Sequence, residues 1–265
     1  MNHFLEIATQ AAQAGGMILE KYWGKLSNIE QKTFHWDLVT EADKESEKVI
    51  FDILKKEFPT HTLLGEETGL QEIEGTDYTW VVDPLDGTTN YTHQYPMVSI
   101  SIALLHKGEP IIGVVYNPIH HELYQAAKGQ GATLNRKTIT VSKTESLQFS
   151  LLATGFAYDR RDTTDNNYLE FFHITHQSQG VRRAGSAALD LAYVAAGRLD
   201  GFWERGLQPW DMAAGVVLVR EAGGKVSSYE NEPFILESGR ILATNGIIHH
   251  TLSQELLDAP KHKYF

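Results

Sequence analysis

Apolar residues recur at helical spacing in two long stretches near the amino terminus. The first stretch predicts a helix over about residues 3–23. The second stretch begins after Thr40, a residue type that caps helices, carries Asp43 three positions later and stops before Pro59. We therefore predict a second helix, over about residues 40–58, that is capped by Thr40.

The hydrophobic pattern then changes to the short runs that are typical of strands. Residues 62–64 and 79–82 are apolar runs that end in acidic residues, and a polar loop over residues 66–77 separates them. We expect two buried strands that deliver side chains at their carboxyl ends. Between residues 97 and 124 the pattern alternates and breaks twice at turn-forming residues, which predicts a three-stranded antiparallel meander.

Short strands continue to about Val141, and the rest of the chain alternates strands and helices. Strands are predicted near 149, at 181 and over 199–203 and 241–244, and helices over about 165–177, 187–196, 211–222 and 246–257. This order predicts a layered α+β architecture. We expect a single unit over residues 1–265, made of two joined halves at about 1–145, with the site core, and 146–265, on the substrate side.

Charge and composition exclude several classes of protein. The chain has 34 acidic and 23 basic residues and a formal net charge of −11, which disfavours polyanion and anionic-membrane binding. It has no cysteine, so disulfides, thiolate metal sites and cysteine nucleophiles are excluded. We find neither a signal-peptide pattern nor an apolar run long enough for a membrane span, and we predict a cytoplasmic protein.

The strongest chemical signal lies in residues 80–90. Pro84 cannot donate to a strand ladder and Gly87 permits a sharp turn, so the chain should leave the sheet at Asp83 and bring Asp83 and Asp86 together. Converging carboxylates without a nearby base suit hard divalent cations. The helix start that follows favours an anion, and a metal beside a phosphate indicates phosphoryl chemistry. An Asx-type turn with capping aspartates is the structural alternative.

Two further acidic residues could join this turn in one site. Glu66 follows the strand at 62–64 and could reach the same site, whereas Glu67 points the other way by strand alternation. A solvated acidic loop explains Glu66 equally well. Asp211 stands at a helix amino terminus, where an N-cap role and metal binding are equally good explanations.

Two other positions could face a substrate. Gly185, Ser186 and Ala187 form a strand-to-helix turn whose small residues allow either a ligand or tight helix packing. Glu204 follows an apolar strand, where its carboxylate could bind the hydroxyls of a polyol or form an ion pair with Arg205 or another base.

Five motifs together resemble a known family: residues 37–43, 65–67, 80–90, 185–188 and 210–211. In order and spacing, over about residues 5–250, they resemble the inositol monophosphatase family. The stretch 182–201 further resembles the bacterial branch of that family that includes SuhB. The resemblance implies a layered α/β/α/β/α sandwich, a homodimer and inhibition by Li⁺.

The resemblance also implies roles for single residues. The predicted ligands of about two or three Mg²⁺ ions are Glu66, Asp83, the carbonyl of Leu85, Asp86 and Asp211. The predicted catalytic set adds Thr88, which orients the attacking water with Asp43 behind it, to Glu66, Asp83 and Asp86. The predicted substrate contacts are Asp86, Gly87, Thr88, Gly185, Ser186, Ala187, Glu204 and Asp211.

We expect Mg²⁺-dependent hydrolysis of a small phosphate monoester, myo-inositol 1-phosphate, by in-line attack of water. The same chemistry on histidinol phosphate, fructose 1,6-bisphosphate or a 3'-phosphonucleotide stays open, although Glu204 favours a polyol. A second alternative is a binding role in transcription antitermination, as in SuhB-like relatives. We expect no membrane partner and no direct nucleic-acid binding, and transcription factors stay open as partners.

Overall fold

The structure is a computed structural model that describes residues 1–27, 29–31 and 38–259. Asp37, the first residue of one of the five motifs, lies outside the described residues. The α-helices are α1 (Asn2–Tyr22), α2 (Glu41–Glu57), α3 (Thr88–Thr92), α4 (Tyr168–Gln177), α5 (Ala187–Ala195), α6 (Pro209–Glu221) and α7 (His249–Asp258). Two short 3₁₀ helices cover Leu147–Phe149 and Leu236–Ser238.

The strands are named in chain order. They are β1 (Ile29–Gln31), β2 (Leu38–Thr40), β3 (Thr62–Gly65), β4 (Gly69–Gln71), β5 (Tyr78–Asp86), β6 (Ser99–His106), β7 (Glu109–Asn117), β8 (Glu122–Ala127), β9 (Ala132–Leu134), β10 (Lys137–Ile139), β11 (Leu151–Thr154), β12 (Gly180–Arg182), β13 (Gly201–Arg205), β14 (Lys225–Ser227) and β15 (Arg240–Thr244).

The first large sheet has eight strands in the order β10-β9-β8-β7-β6-β5-β3-β4. Strands β6, β7 and β8 pair antiparallel, which confirms the predicted meander. Strand β3 pairs parallel with β5, and Gly65 stands opposite Val82. Because the two strands run in the same direction, the segment that follows Gly65 lies beside the last residues of β5.

The second sheet has five strands in the order β12-β11-β13-β15-β14. Strand β11 pairs parallel with both β12 and β13, and β15 pairs antiparallel with β13 and β14. The predicted division at about residue 145 stays a prediction, and the two large sheets lie on either side of it in sequence.

The helices and sheets stack in five layers. Helices α1 and α2 pack on the eight-stranded sheet, α5 and α6 lie between the two sheets, and α4 and α7 contact the five-stranded sheet. A hydrophobic core fills each interface, and the central one contains nearly all of the buried apolar side chains of α5 and α6. The predicted α/β/α/β/α sandwich is therefore confirmed.

Helices long enough to show a clear apolar period were predicted closely, whereas four of the seven three-residue strands among the described residues were missed. Strands β1, β2, β4 and β14 have three residues each, too few to establish an alternating pattern. Strand β4 lies inside the segment 66–77, which was predicted as a polar loop. Among the described residues, no helix has the length and apolar character needed to cross a membrane.

Candidate active site

Acidic residues gather where β3 and β5 end. The amide of Glu66, the residue after β3, donates to the carbonyl of Val82 on β5 at 3.2 Å. The next residue of β5 is Asp83, which is 2% exposed. Pairing of the two strands therefore brings Glu66 and Asp83 to the wall of one cavity, as the sequence predicted.

The expectation that the chain leaves the sheet at Asp83 is wrong. Strand β5 continues to Asp86, and its pairing with β6 shifts register between Asp83 and Asp86. A bulge of this kind absorbs Pro84, which has no N–H for the ladder. The Leu85 amide donates to Asp83 Oδ1 at 2.9 Å, which closes the turn inside the strand.

A short helix follows this turn. Gly87 has a φ of 96°, a left-handed conformation that glycine adopts without strain, and it precedes α3. The first residue of α3, Thr88, directs its hydroxyl towards Asp43 Oδ1 and the Leu85 carbonyl, each 3.1 Å away. A hydroxyl has one proton, so it donates to one of these acceptors at a time.

Two aspartates of the site close capping boxes. Thr40 caps α2 as predicted, and its amide donates to Asp43 Oδ2 at 2.9 Å. At the start of α6 the amide of Gln208 donates to Asp211 Oδ2 at 2.7 Å, so Gln208 is the N-cap and Asp211 the third helical residue. Each carboxylate has a second oxygen, so helix capping and a role in the cavity do not exclude each other.

Asp86 links the two halves of the chain. Its Oδ2 accepts hydrogen bonds from the Ser186 hydroxyl at 2.6 Å and from the Ala188 amide at 2.8 Å. Ser186 is the N-cap of α5, so Asp86 lies at the electropositive end of that helix. The predicted small-residue turn therefore contacts the acidic turn, and both line the cavity.

The carboxylates perturb one another strongly. Burial, Glu66 and Asp86 raise the pKa of Asp83, and burial together with Asp86 raises the pKa of Asp211, both well above the ordinary range. Burial raises the pKa of Asp86 to about 6 despite its hydrogen bonds from Ser186 and Ala188. Charged carboxylates this close repel each other unless a cation neutralises them.

Asp43 lies behind this cluster. Its side chain is fully buried, and burial raises its pKa to about 6 although Thr40 and Thr88 donate hydrogen bonds to it. It does not line the cavity and reaches it only through the Thr88 hydroxyl.

The wall of the cavity also contains Glu204 on β13, which is 8% exposed. Arg205 does not pair with it and instead contacts Asp159 at 2.7 Å, so the predicted alternative of an ion pair with Arg205 is wrong. Burial raises the pKa of Glu204 to about 8, with Arg183 opposing and Asp86 adding to the effect. A Cβ on Gly155 would lie 2.1 Å from Glu204 Oε2, so the carboxylate packs directly on the backbone of that glycine.

The cavity has a volume of about 730 Å³. Its wall includes every predicted site residue except Asp43: Glu66, Asp83, Leu85, Asp86, Gly87, Thr88, Gly185, Ser186, Ala187, Glu204 and Asp211. Glu67 is absent from this wall, in agreement with the predicted alternation.

Sequence reasoning missed several residues of this wall, and two of them, Gly155 and Asp190, bear directly on its carboxylates. Asp190 is 2% exposed, and its Oδ1 has no hydrogen-bond partner among the described residues. Burial, Glu204 and Asp86 raise its pKa well above the ordinary range. The signal that could have found it is a single carboxylate in an otherwise apolar stretch, since eight of the nine residues of α5 are buried.

Residues that line the same cavity need not be close enough together to bind one metal ion. Within residues 1–27, 29–31 and 38–259, no three His, Cys, Asp or Glu side chains already converge as a metal-binding group. The structure thus brings the predicted metal ligands to one cavity without drawing them to one point.

Comparison with known proteins agrees with the motifs. A model of the inositol monophosphatase family matches residues 1–261. Inositol-1-monophosphatase of Synechocystis sp. is 56% identical over 258 residues, which are 97% of this chain and 90% of that protein. Nus factor SuhB of Pseudomonas aeruginosa is 46% identical over 252 residues, 92% of each chain.

A solved structure shares the fold closely. Inositol monophosphatase from Anabaena (Nostoc) sp. PCC 7120 superimposes with a TM-score of 0.91 at 54% identity, over 98% of this chain and 97% of that one. The similarity therefore extends over sequence and fold alike, and it includes the segments that surround the cavity. On these grounds the chain belongs to the inositol monophosphatase family and is a phosphatase that hydrolyses phosphoric monoesters.

Proposed function

We propose that this phosphatase depends on Mg²⁺ and hydrolyses myo-inositol 1-phosphate to inositol and phosphate. One observation carries the proposal: a cluster of carboxylates and a separate buried carboxylate, Glu204, line the same cavity of 730 Å³. The cluster suits cations beside a phosphate, and Glu204 suits the hydroxyl groups of a ring.

The donor set fits magnesium. The proposed ligands offer oxygen atoms only, as this hard cation prefers, and they are Glu66, Asp83, the carbonyl of Leu85, Asp86 and Asp211. Burial, with repulsion between the carboxylates in addition, raises the pKa values of the aspartates, and bound cations would favour their charged forms. When bound, about two or three ions would supply Lewis acidity that stabilises negative charge on the reacting phosphate.

Thr88 and Asp43 are proposed to orient the attacking water. The Thr88 hydroxyl lines the cavity, and its proton points to Asp43 or to the Leu85 carbonyl. A lone pair of the hydroxyl is then free to accept a hydrogen bond from water, which turns the oxygen of that water towards phosphorus. Asp43 acts only through Thr88, because it does not line the cavity.

The remaining roles divide between phosphate and polyol. The amides of Gly87 and Thr88, at the start of α3, are proposed to hold phosphate oxygens. The second oxygen of Asp86 and the turn of Gly185, Ser186 and Ala187 face the substrate hydroxyls. Glu204 is proposed to accept a hydrogen bond from a ring hydroxyl.

A substrate panel tests this proposal. Phosphate release is measured with Mg²⁺ from inositol 1-phosphate, histidinol phosphate, fructose 1,6-bisphosphate and a 3'-phosphonucleotide. We expect the highest kcat/KM for inositol 1-phosphate, loss of activity with a chelator, recovery with Mg²⁺ and inhibition by Li⁺. A clear preference for another member of the panel would reassign the substrate, and chelator-resistant activity would contradict the metal proposal.

A second candidate function is favoured by the similarity to the Nus factor SuhB of Pseudomonas aeruginosa. We propose that this chain also binds transcription factors, independently of catalysis. The test is a pull-down with purified transcription elongation factors, comparing the wild type with an Asp86→Asn variant. Capture by both proteins supports the binding role, and capture by neither contradicts it.

A cytoplasmic location and a homodimer complete the proposal, and light scattering would measure the dimer mass directly.

A further inference from the structure

One face of α2 carries polar side chains that solvent does not reach. They are Asp43 and Ser46, both 0% exposed, and Glu47, 1% exposed. Each one contacts a different segment of the active site. Asp43 faces Thr88, Ser46 donates to the carbonyl of Pro84 at 3.1 Å, and Glu47 Oε2 accepts from the amide of Glu67 at 3.0 Å. Helix α2 therefore touches the three chain segments that carry Thr88, the acidic turn and Glu66.

Glu47 has no role in the proposed mechanism. Its burial is also energetically unfavourable. Its Oε1 has no hydrogen-bond partner among the described residues. A buried carboxylate oxygen without a partner opposes folding, because it has lost its hydration and gained nothing in return. An apolar residue of similar size would serve the core better, so the contact made by the other oxygen calls for an explanation.

That other oxygen lies directly against the backbone that leads to Glu66. A Cβ on Gly65, the last residue of β3, would lie 2.3 Å from Glu47 Oε2 and 2.7 Å from Phe51 Cζ. On the opposite side, the Glu66 amide is bonded to the carbonyl of Val82. Residues 65–67 are thus enclosed between β5 and the Glu47 carboxylate, with the Glu66 side chain on the wall of the cavity.

We propose that Glu47 is a positioning residue that fixes the turn of residues 65–67 and thereby directs the Glu66 carboxylate into the cavity. It acts through the amide of Glu67 and touches neither substrate nor ion. Loss of the acceptor gives the turn additional conformations, and Glu66 then has to be ordered again when a cation binds. Only this last step rests on the proposed function.

Three variants separate positioning from general stability. Glu47→Met removes the acceptor at similar volume, and Glu47→Gln keeps a carbonyl oxygen that can accept from Glu67. The matched control is Ile50→Ala, which truncates a fully buried residue of α2 that packs near Gly15 on α1. Without metal, we expect amide hydrogen exchange in residues 65–67 to accelerate about tenfold in Glu47→Met, because one hydrogen bond is lost. The other two variants should stay near wild type.

Mg²⁺ binding, measured by titration calorimetry, gives the second readout. We expect the dissociation constant to rise about tenfold or more in Glu47→Met, as for other residues that orient ligands, and to change only a few-fold in Glu47→Gln. Faster exchange with unchanged Mg²⁺ affinity would retain the positioning role and remove Glu66 from the ligand set. Unchanged exchange in Glu47→Met, or equal acceleration in Ile50→Ala, would overturn the proposal.

Gly65→Ala provides an independent test should Glu47→Met fail to fold. Its Cβ would enter the space that Glu47 Oε2 occupies, so the variant displaces the carboxylate without removing its charge from the protein. We expect the same acceleration of exchange in residues 65–67. Wild-type exchange in a folded Gly65→Ala protein would show that Glu47 does not hold this turn.

Discussion

The carboxylates at the end of β5 and the carboxylate on β13 are held in place in different ways. At the β5 end, donors within hydrogen-bond distance fix the side chains: the Leu85 amide bonds Asp83, and the Ala188 amide bonds Asp86. At the β13 end, the part of the chain that the structure describes places no donor within hydrogen-bond distance of the Glu204 carboxylate. Its position is set instead by Gly155, which leaves room for it, and by the charge of Arg183.

This difference indicates that the two groups of carboxylates have different roles in the reaction. Carboxylates that are locked by several hydrogen bonds suit a reaction that needs one geometry. A carboxylate that lacks donors of its own suits a group that pairs with the ligand. Substitutions at the β5 end should therefore lower the turnover of every substrate, whereas substitutions at the β13 end should change the preference among substrates.

The largest effect is expected for Asp86→Asn and Asp83→Asn. Each removes one charge from the proposed cation site, and turnover of all substrates should fall by about 10³-fold or more. The amide oxygen of asparagine can still accept the existing hydrogen bonds, so the fold should survive. Without metal, relief of repulsion should raise the free energy of unfolding by on the order of 1 kcal/mol. Near-wild-type kcat/KM in saturating Mg²⁺ would remove the assignment of this end.

Thr88→Ala should have the next largest effect. Loss of the hydroxyl that faces Asp43 should lower kcat by about 10²-fold and leave KM within a few-fold, because orienting the nucleophile acts in the transition state. Thr88→Ser, which retains the hydroxyl, is the control and should keep most of the activity. If steady-state kinetics show a rise in KM alone, Thr88 binds phosphate and does not orient water.

Glu204→Gln should act on selectivity. Turnover of inositol 1-phosphate should fall about tenfold more than turnover of glycerol 2-phosphate, as expected for the loss of one hydrogen bond to a ring hydroxyl. The ratio of the two kcat/KM values is the measurement. Equal losses on both substrates would mean that Glu204 supports the site structurally, and the contrast between the two ends would disappear.

The last prediction concerns pH and stability without metal and leaves activity aside. The folded-state pKa of Glu204, about 8, lies above the ordinary value of 4.5, so the folded protein binds more protons than the unfolded chain between these values. Stability contributed by the protonated side chain is therefore lost as pH rises from about 4.5 to 8, by up to about 1.4 kcal/mol for each pH unit. Chemical denaturation should show the loss in wild type and a flatter profile in Glu204→Gln.

The sequence predicted those parts of the site that depend on local rules. Thr40 and Asp43 mark the start of α2 by residue type and spacing alone, and this capping box was confirmed. The path of β5 through Pro84 was not predictable, because a bulge depends on pairing with β6 and leaves no sign in the strand itself. Sequence left an N-cap role and a ligand role as alternatives for Asp211; the structure places it third in α6, where one oxygen accepts from the Gln208 amide, and on the cavity wall.

The β13 end was harder to predict. Gly155 is one of 22 glycines, and nothing in its neighbours along the chain distinguishes it. Its significance lies in the approach of Glu204 from another strand, which is a tertiary contact. Asp190 was overlooked because the small apolar residues around it indicate helix packing, and burial of its carboxylate emerges only when α5 lies between two sheets.

The two capping boxes connect the active site to the fraying of helix ends. Asp43 and Asp211 each accept, with one oxygen, a hydrogen bond from the amide of the N-cap residue of a helix, and each belongs to the site or its immediate support. If the first turn of α2 or α6 opens, the aspartate turns away with it. Heat should therefore inactivate the enzyme through these two turns, below the temperature at which the sheets melt, and activity would be the most sensitive reporter of local unfolding in this protein.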